Sequence, residues 1–308
     1  MSSPTSVDTL LSRHDSLFDD YPTSPKNSSA PPTTKGPGFF DLPAEIRTHI
    51  YDLIFSLPST YSSAFPPSPS SPVRLCPDYL ASTHLLPLLT NRQFHSEAHL
   101  LAFSRTLFII TNPYLSLTLG SHISSLLPPR TIACLRHVAF VADARHFRLL
   151  RTWSVDGHAF GLPSLKLESL GIILARSSYW HYLFDFNVPL VTLLRGLEGV
   201  EKVVFVRNNA LIKGTLHTWY NRLVKLMLKT DLVERYERSP ARVEKSWWAW
   251  ECDREKQTVT LEVREAKPEG LSKEEYGEVM APLYETLMLS MESEEYDPDP
   301  MSRVSVGL

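Results

Sequence analysis

Cysteine is nearly missing from this chain. Only Cys76, Cys134 and Cys252 occur, far apart and without a C-x-x-C pair. That excludes a disulfide framework and the paired-thiol patterns of zinc or redox sites, so we read three free thiols, two of them in strands. Glycine is also scarce, at twelve residues. No G-x-x-x-x-G-K-[ST] loop, G-x-G-x-x-G fingerprint or G-x-S-x-G elbow is present, which removes the sequence support for nucleotide chemistry and for a hydrolase elbow. Long apolar runs are absent as well. A spanning helix needs about 18 to 20 apolar residues, and the best stretch, 165–175, is interrupted by Lys166 and Glu168. The expectation is therefore no membrane partner. The start carries Asp8, Asp15, Asp19 and Asp20 and no apolar run after a basic cluster. That is not a secretory leader, and the expectation is an intracellular protein, cytoplasmic or nuclear.

What is present is ordinary globular material. Of the 308 residues, 43% are hydrophobic and 21% charged, enough apolar surface for a sizeable core. The net charge of -3 is unevenly spread, because residues 265–308 hold eleven acids against three bases. Four regions follow from composition. Residues 1–38, rich in Ser, Thr and Pro, cannot bury enough surface to offset ordering entropy and are expected to be disordered. Residues 39–104 form a helical module with a disordered Pro/Ser loop at 58–78. Residues 105–264 are an α/β repeat-like region, and 265–308 a C-terminal helix with an acidic tail.

The helical module opens at Phe39, where Asp41 and Pro43 stand as capping acid and helix-starting proline. Ile46, Ile50, Leu53, Ile54 and Leu57 then fall on one helical stripe, and Pro58 ends it. A second helix is expected at 82–103. Beyond it, strand patterns at 107–111, 135–141, 167–174 and 200–206 recur at starts separated by 28, 32 and 33 residues. Three share an internal pattern: Leu135-x-x-Val138-x-Phe140, Leu167-x-x-Leu170-x-Ile172 and Val200-x-x-Val203-x-Phe205. Helical segments at 115–127 and 188–197 suit crossovers between parallel strands. The pattern resembles leucine-rich repeats, though no asparagine ladder follows the strands, so an ordinary α/β layer stays open. An amphipathic helix at 215–236 leads to two alternating stretches around Trp248, Trp250 and Cys252 and around Val259, Leu261 and Val263. Asp253 to Lys256 is the turn of that β-hairpin. A last helix opens at Ser272, with Glu275 completing a capping box and Leu271 placed to staple onto Tyr276.

The segment Leu42-Pro43-Ala44-Glu45-Ile46-Arg47-Thr48-His49-Ile50-Tyr51 resembles the F-box-like start of a large group of fungal proteins, with the signature L-P-x-E-[IL]-R-x-x-I-[YW]. Downstream, Leu88-Leu89-Thr90-Asn91-Arg92-Gln93-Phe94-His95-Ser96-Glu97-Ala98 is similar to the group's second motif, with Asn91 where a cysteine is usual. The resemblance covers residues 39–111. It implies docking onto a Skp-type adaptor of a cullin ubiquitin ligase, with the rest of the chain selecting a protein substrate. Leu42, Pro43, Ile46 and Ile50 are the positions it would turn to the adaptor, as a helix in a groove. The alternative is that the same stripe is plain core, packed on the second helix and the first strand.

Other constellations weigh less. His95 and His99 have the i, i+4 spacing of a zinc pair, but Glu97 sits one place too late for the metalloprotease motif and no third ligand is near. No metal and no cofactor is expected. Residues 202–245 hold ten bases against four acids with aromatics interleaved, the composition of a nucleic-acid surface. The bases fall opposite an apolar stripe, however, and a solvated helix face is the preferred reading. Three tryptophans at 247, 248 and 250 need cover, which the 272–291 helix can supply. The expectation is thus a mixed α/β, non-enzymatic adaptor or scaffold. A stand-alone protein- or nucleic-acid-binding protein is second and an enzyme third.

Overall fold

A computed structural model of the chain describes residues 38–66, 72–111, 119–148, 154–155, 157–176, 179–180, 183–212, 214–264 and 270–296. The tail expected at 1–38, apart from Gly38, lies outside the described residues, as do 67–71, 265–269 and the acidic end at 297–308. The chain divides into two compact units, Met1–Ala44 and Glu45–Leu308. In the first, Phe39–Asp41 make a single 3-10 turn. The Asp41 carboxylate accepts the Gly38 N–H at 2.7 Å. Asp41 thus closes its own turn, where the sequence reading had it capping the helix that follows.

Helix α1 (Ala44–Ile54) is followed at once by α2 (Leu57–Ala64). The loop expected at 58–78 is corrected here. Pro58 sits in the first turn of α2, where its missing N–H would have no partner in any case, so it starts a helix and does not end one. Residues 72–80 are also engaged: the Val73 N–H reaches the Lys256 carbonyl at 2.9 Å, and the Leu75 N–H reaches Asn208 Oδ1 at 2.9 Å. The helix expected at 82–103 is three pieces: α3 (Ala81–Leu85), a 3-10 turn at Leu86–Leu89 and α4 (Arg92–Arg105). Pro87 stands in the first positions of the 3-10 turn. Asn91 N-caps α4, its side chain accepting the N–H groups of Gln93 at 2.7 Å and Phe94 at 3.4 Å. Asn91, where the resembled motif has cysteine, supplies a cap.

The mixed α/β reading holds. Strand β1 (Leu107–Ile110) leads through α5 (Leu119–Leu126) and α6 (Pro129–Ile132) to β2 (His137–Ala142). After α7 (Ala144–Arg148) and the two-residue pair β3 (Ser154–Val155) and β4 (His158–Ala159) comes β5 (Ser169–Leu174). Short β6 (Tyr179–Trp180) and α8 (Asn187–Gly196) precede β7 (Lys202–Val206). Then follow β8 (Leu211–Ile212), α9 (Leu216–Leu232) with a π-helical turn at Val233–Glu237, β9 (Trp248–Asp253), β10 (Thr258–Val263) and α10 (Lys273–Tyr296). The main sheet has six strands in the order β1-β2-β5-β7-β10-β9. Its first four are parallel and adjacent in chain order, and the hairpin extends them antiparallel, β10 against β7.

Alternation along the strands gives the sheet two dissimilar faces. Phe140, Ile172, Val203, Phe205, Val259 and Leu261 face the larger core with α8, α9 and α10. Ala139, Ile173 and Val206 face the other side, where Tyr61, Ala64 and Phe65 of the α2 region and Val73, Leu75 and Tyr79 cover them. Of the cysteines, none of them in a disulfide, only Cys252 lies in a strand, which corrects the expected two. Among the described residues no helix is long and apolar enough to cross a membrane.

The tryptophans are covered from within. Trp247 and Trp248 are buried and Trp250 half-buried. Tyr276 of α10 meets the Trp247 ring edge-on at 6.2 Å, and Met280, Leu283 and Leu287 join the same core. The capping box is present, with Ser272 N–H to Glu275 Oε2 at 2.8 Å and Glu275 N–H to Ser272 Oγ at 3.2 Å. Below the rings, Arg235 pairs with Glu244, which also accepts the Trp247 indole N–H. Burial pushes the Glu244 carboxyl up, but the hydrogen bonds from Arg235 and Trp247 outweigh it and hold the group below the usual range.

Candidate functional site

Helix α1 has two faces with different fates. On one, Tyr51 and Phe55, the latter just past the helix end, are buried. Tyr51 packs edge-on to Phe94 of α4 with centroids 4.8 Å apart. Arg47, on the same side, makes a two-pronged pair with Glu97 of α4, Nε to Oε2 at 2.8 Å and Nη2 to Oε1 at 3.0 Å. The Tyr51 hydroxyl donates to Glu97 Oε2 at 2.9 Å and the Gln93 side-chain amide to Oε1 at 2.9 Å. Those donors, Arg47 first, hold the Glu97 carboxyl down to about 2. Arg105 and Asp52 close the far end of the pair of helices at 2.9 Å. Arg47 and Tyr51 of the first motif thus meet Gln93 and Glu97 of the second. The two motifs are halves of one lock.

The described residues leave the opposite face exposed. Ile46 is 49% exposed, Leu53 64% and Ile54 44%, with Ile50 half-buried between them. Spacings of four, three and one place these four on one side of the helix, away from α4. Among the described residues, α1 gives the core Tyr51 and Phe55. Of the other two positions taken from the resemblance, which lie in the first unit, Leu42 is half-buried and Pro43 exposed.

A second feature was not legible in any motif. Beside α2, on the less covered face of the sheet, lies a cleft of about 820 Å³ walled by Tyr61, His137, Ser169, Glu168, Lys202 and Arg264, among others. His137 and Ser169 are register partners across β2 and β5, and Leu170 stands opposite Val203, so Ser169 and Lys202 stand one step earlier on β5 and β7. All three occupy the third position of the repeated strand pattern. The sequence therefore carried the signal, a row of polar residues at one repeat position. The Ser169 hydroxyl lies 2.9 Å from His137 Nδ1 and 2.7 Å from the Tyr61 hydroxyl. The other ring nitrogen, Nε2, is buried without a hydrogen bond, and Glu168 Oε2 stands 3.5 Å from it. Burial lowers the His137 pKa, with Glu168 opposing and Arg105 and Arg136 adding. Burial also raises that of Tyr61. Near neutral pH the imidazole is uncharged and the phenol protonated.

The remaining candidates resolve into local structure. His95 and His99 stack at 5.2 Å on the exposed side of α4. Among the described residues no group of three or more His, Cys, Asp or Glu could hold a metal. Cations of 202–245 are engaged with partners: Lys202 with Glu262, Arg207 with Gln257, Arg238 with Glu234, Lys245 with Glu198. Arg222 lies over the Phe184 ring at 4.4 Å. Arg222, Lys225 and Lys229 lie on the exposed face of α9, away from its buried side. Compared with family models, with curated proteins and with solved structures, the chain matches none of them.

Proposed function

We propose that the chain is an adaptor or scaffold, in the cytoplasm or nucleus, that docks a Skp-type adaptor of a cullin ubiquitin ligase through the outward face of α1. The sheet region, with strands stacked in the manner of repeats, is then the part that engages a protein substrate. The observation that carries this reading is the uncovered stripe of Ile46, Ile50, Leu53 and Ile54 on a helix whose other face is locked to α4. A helix held rigidly in this way loses little entropy on entering a groove, and each apolar anchor it buries contributes about 1.5–3 kcal/mol. Leu42 and Pro43 are added by the resemblance alone. The test is co-precipitation of an Ile46→Asp variant with the cullin adaptor. Ile46 is half exposed, so the variant keeps its melting temperature while losing the adaptor. Undiminished capture by the folded variant would sink the reading.

A further inference from the structure

We propose that Ser169, His137 and Tyr61 form an acyl-transfer site that hydrolyses small carboxylic esters, with Ser169 as nucleophile, His137 as base, Tyr61 as oxyanion donor and Glu168 as a positioning residue. The inference is independent of adaptor docking, since the cleft and the outward face of α1 share no residue. It returns the enzyme reading that the sequence placed third.

Three observations carry it. First, a serine hydroxyl at 2.9 Å from an imidazole nitrogen is within reach for proton transfer, and the base has a carboxylate on its other side. The tautomer follows from that carboxylate: a proton on Nε2 faces Glu168, leaving the Nδ1 lone pair to accept from Ser169. Second, the Tyr61 hydroxyl at 2.7 Å from Ser169 Oγ is a donor beside the point where a carbonyl oxygen would become an oxyanion. Lys202, paired with Glu262, and Arg264 share that wall with Glu168 and Glu201, so the oxyanion's stabilisation falls to the Tyr61 hydroxyl. Third, these groups border a cleft of about 820 Å³, inside the roughly 300–1,000 Å³ range of ligand sites. A trio serving only to tie α2 to the sheet needs neither the cleft nor a carboxylate beside a buried, unbonded ring nitrogen.

The chemistry balances without any further reactant but water. Ser169 Oγ bonds to the ester carbonyl carbon as its proton passes to Nδ1 of His137. The tetrahedral intermediate collapses by breaking the bond to the alcohol oxygen, which leaves with that proton as the free alcohol. Water then attacks the acyl-serine, giving its proton to Nδ1, and the proton returns to Ser169 as the acid departs.

The test uses the full chain, a fluorophosphonate probe and p-nitrophenyl acetate. The expected result is one adduct per chain, mapped by peptide mass spectrometry to Ser169, and ester hydrolysis that falls by about 100-fold or more in Ser169→Ala and His137→Gln. Glu168→Gln lowers kcat with KM unchanged, and Glu168→Asp restores part of it, a split that a merely structural carboxylate would not produce. Absence of an adduct on Ser169 in the folded wild-type chain, or an adduct on another residue only, overturns the proposal. So does hydrolysis undiminished in Ser169→Ala. Should that variant fail to fold, the peptide map of the unaltered chain still decides.

Discussion

The outward face of α1 and the tryptophan cluster around β9 are both rich in large apolar side chains, yet among the described residues only the second is covered. At β9 the chain supplies its own lid: α10 brings Tyr276, Met280, Leu283 and Leu287 onto Trp247 and Trp248. Polar groups under that lid are engaged too, Trp248 donating to the Leu194 carbonyl at 3.0 Å and Arg235 stacking on both the Trp247 and Tyr276 rings. Helix α1 has used one face on α4, and the described residues leave the other exposed. The difference separates apolar surface that builds the fold from apolar surface the described residues leave exposed. Composition does not make that distinction, because isoleucine and leucine look the same in both settings.

The comparison breaks most forcefully at the covered end. Glu244→Ala strands the Arg235 guanidinium in a buried position and removes the acceptor of the Trp247 indole. Loss of one partner of a buried pair costs about 3–5 kcal/mol, to be read from urea unfolding followed by tryptophan fluorescence. Replacing both partners, Arg235→Met with Glu244→Leu, recovers most of it, because no uncompensated charge remains. A loss as large in the double variant as in the single one would show that the charges themselves stabilise the cluster.

A smaller effect probes the lock between α1 and α4. The Glu97 carboxyl is held down to about 2 in the folded chain against an ordinary value of 4.5. A depressed acid contributes stability that is fully present above its unfolded value and is lost as pH falls toward the folded one. Between about pH 4.5 and pH 2, helix α1 should therefore loosen from α4, seen as faster amide exchange at 44–55, and Glu97→Gln should remove that dependence. Salt should weaken the effect, since the pair is partly exposed.

Much of this arrangement could be read from the sequence, and the parts that could not have physical causes. The strand pattern placed β2, β5 and β7 within about two residues, because a buried parallel strand is a short apolar run with few ways to be misread. Ser272 and Glu275 fixed the start of α10 through a cap that is purely local. Pro58 misled, because a proline that ends one helix is equally at home in the first turn of another. Mistaking α2 for a loop hid Tyr61, and without Tyr61 over the sheet the meeting of His137 and Ser169 had no cleft to belong to. For α1, periodicity identified the stripe, but an amphipathic pattern does not say which of two faces meets the core. Tyr51 and Phe55, spaced four apart on the other side, were the sign that α1 is apolar on both.

The gentlest break is at the uncovered end. Leu53→Ser and Ile54→Ser remove apolar atoms that are already largely in water, at 64% and 44% exposure, so no cavity forms and no buried group loses a partner. Stability should change by no more than about 0.5 kcal/mol for each, measured by the same urea unfolding used for Glu244→Ala. A larger loss would mean that the face is packed in solution against part of this chain, and the contrast with the tryptophan cluster would then disappear. With stability unchanged, any lost adaptor capture belongs to the surface itself, because the inner face, Arg47, Tyr51 and Glu97 with it, is untouched by either substitution.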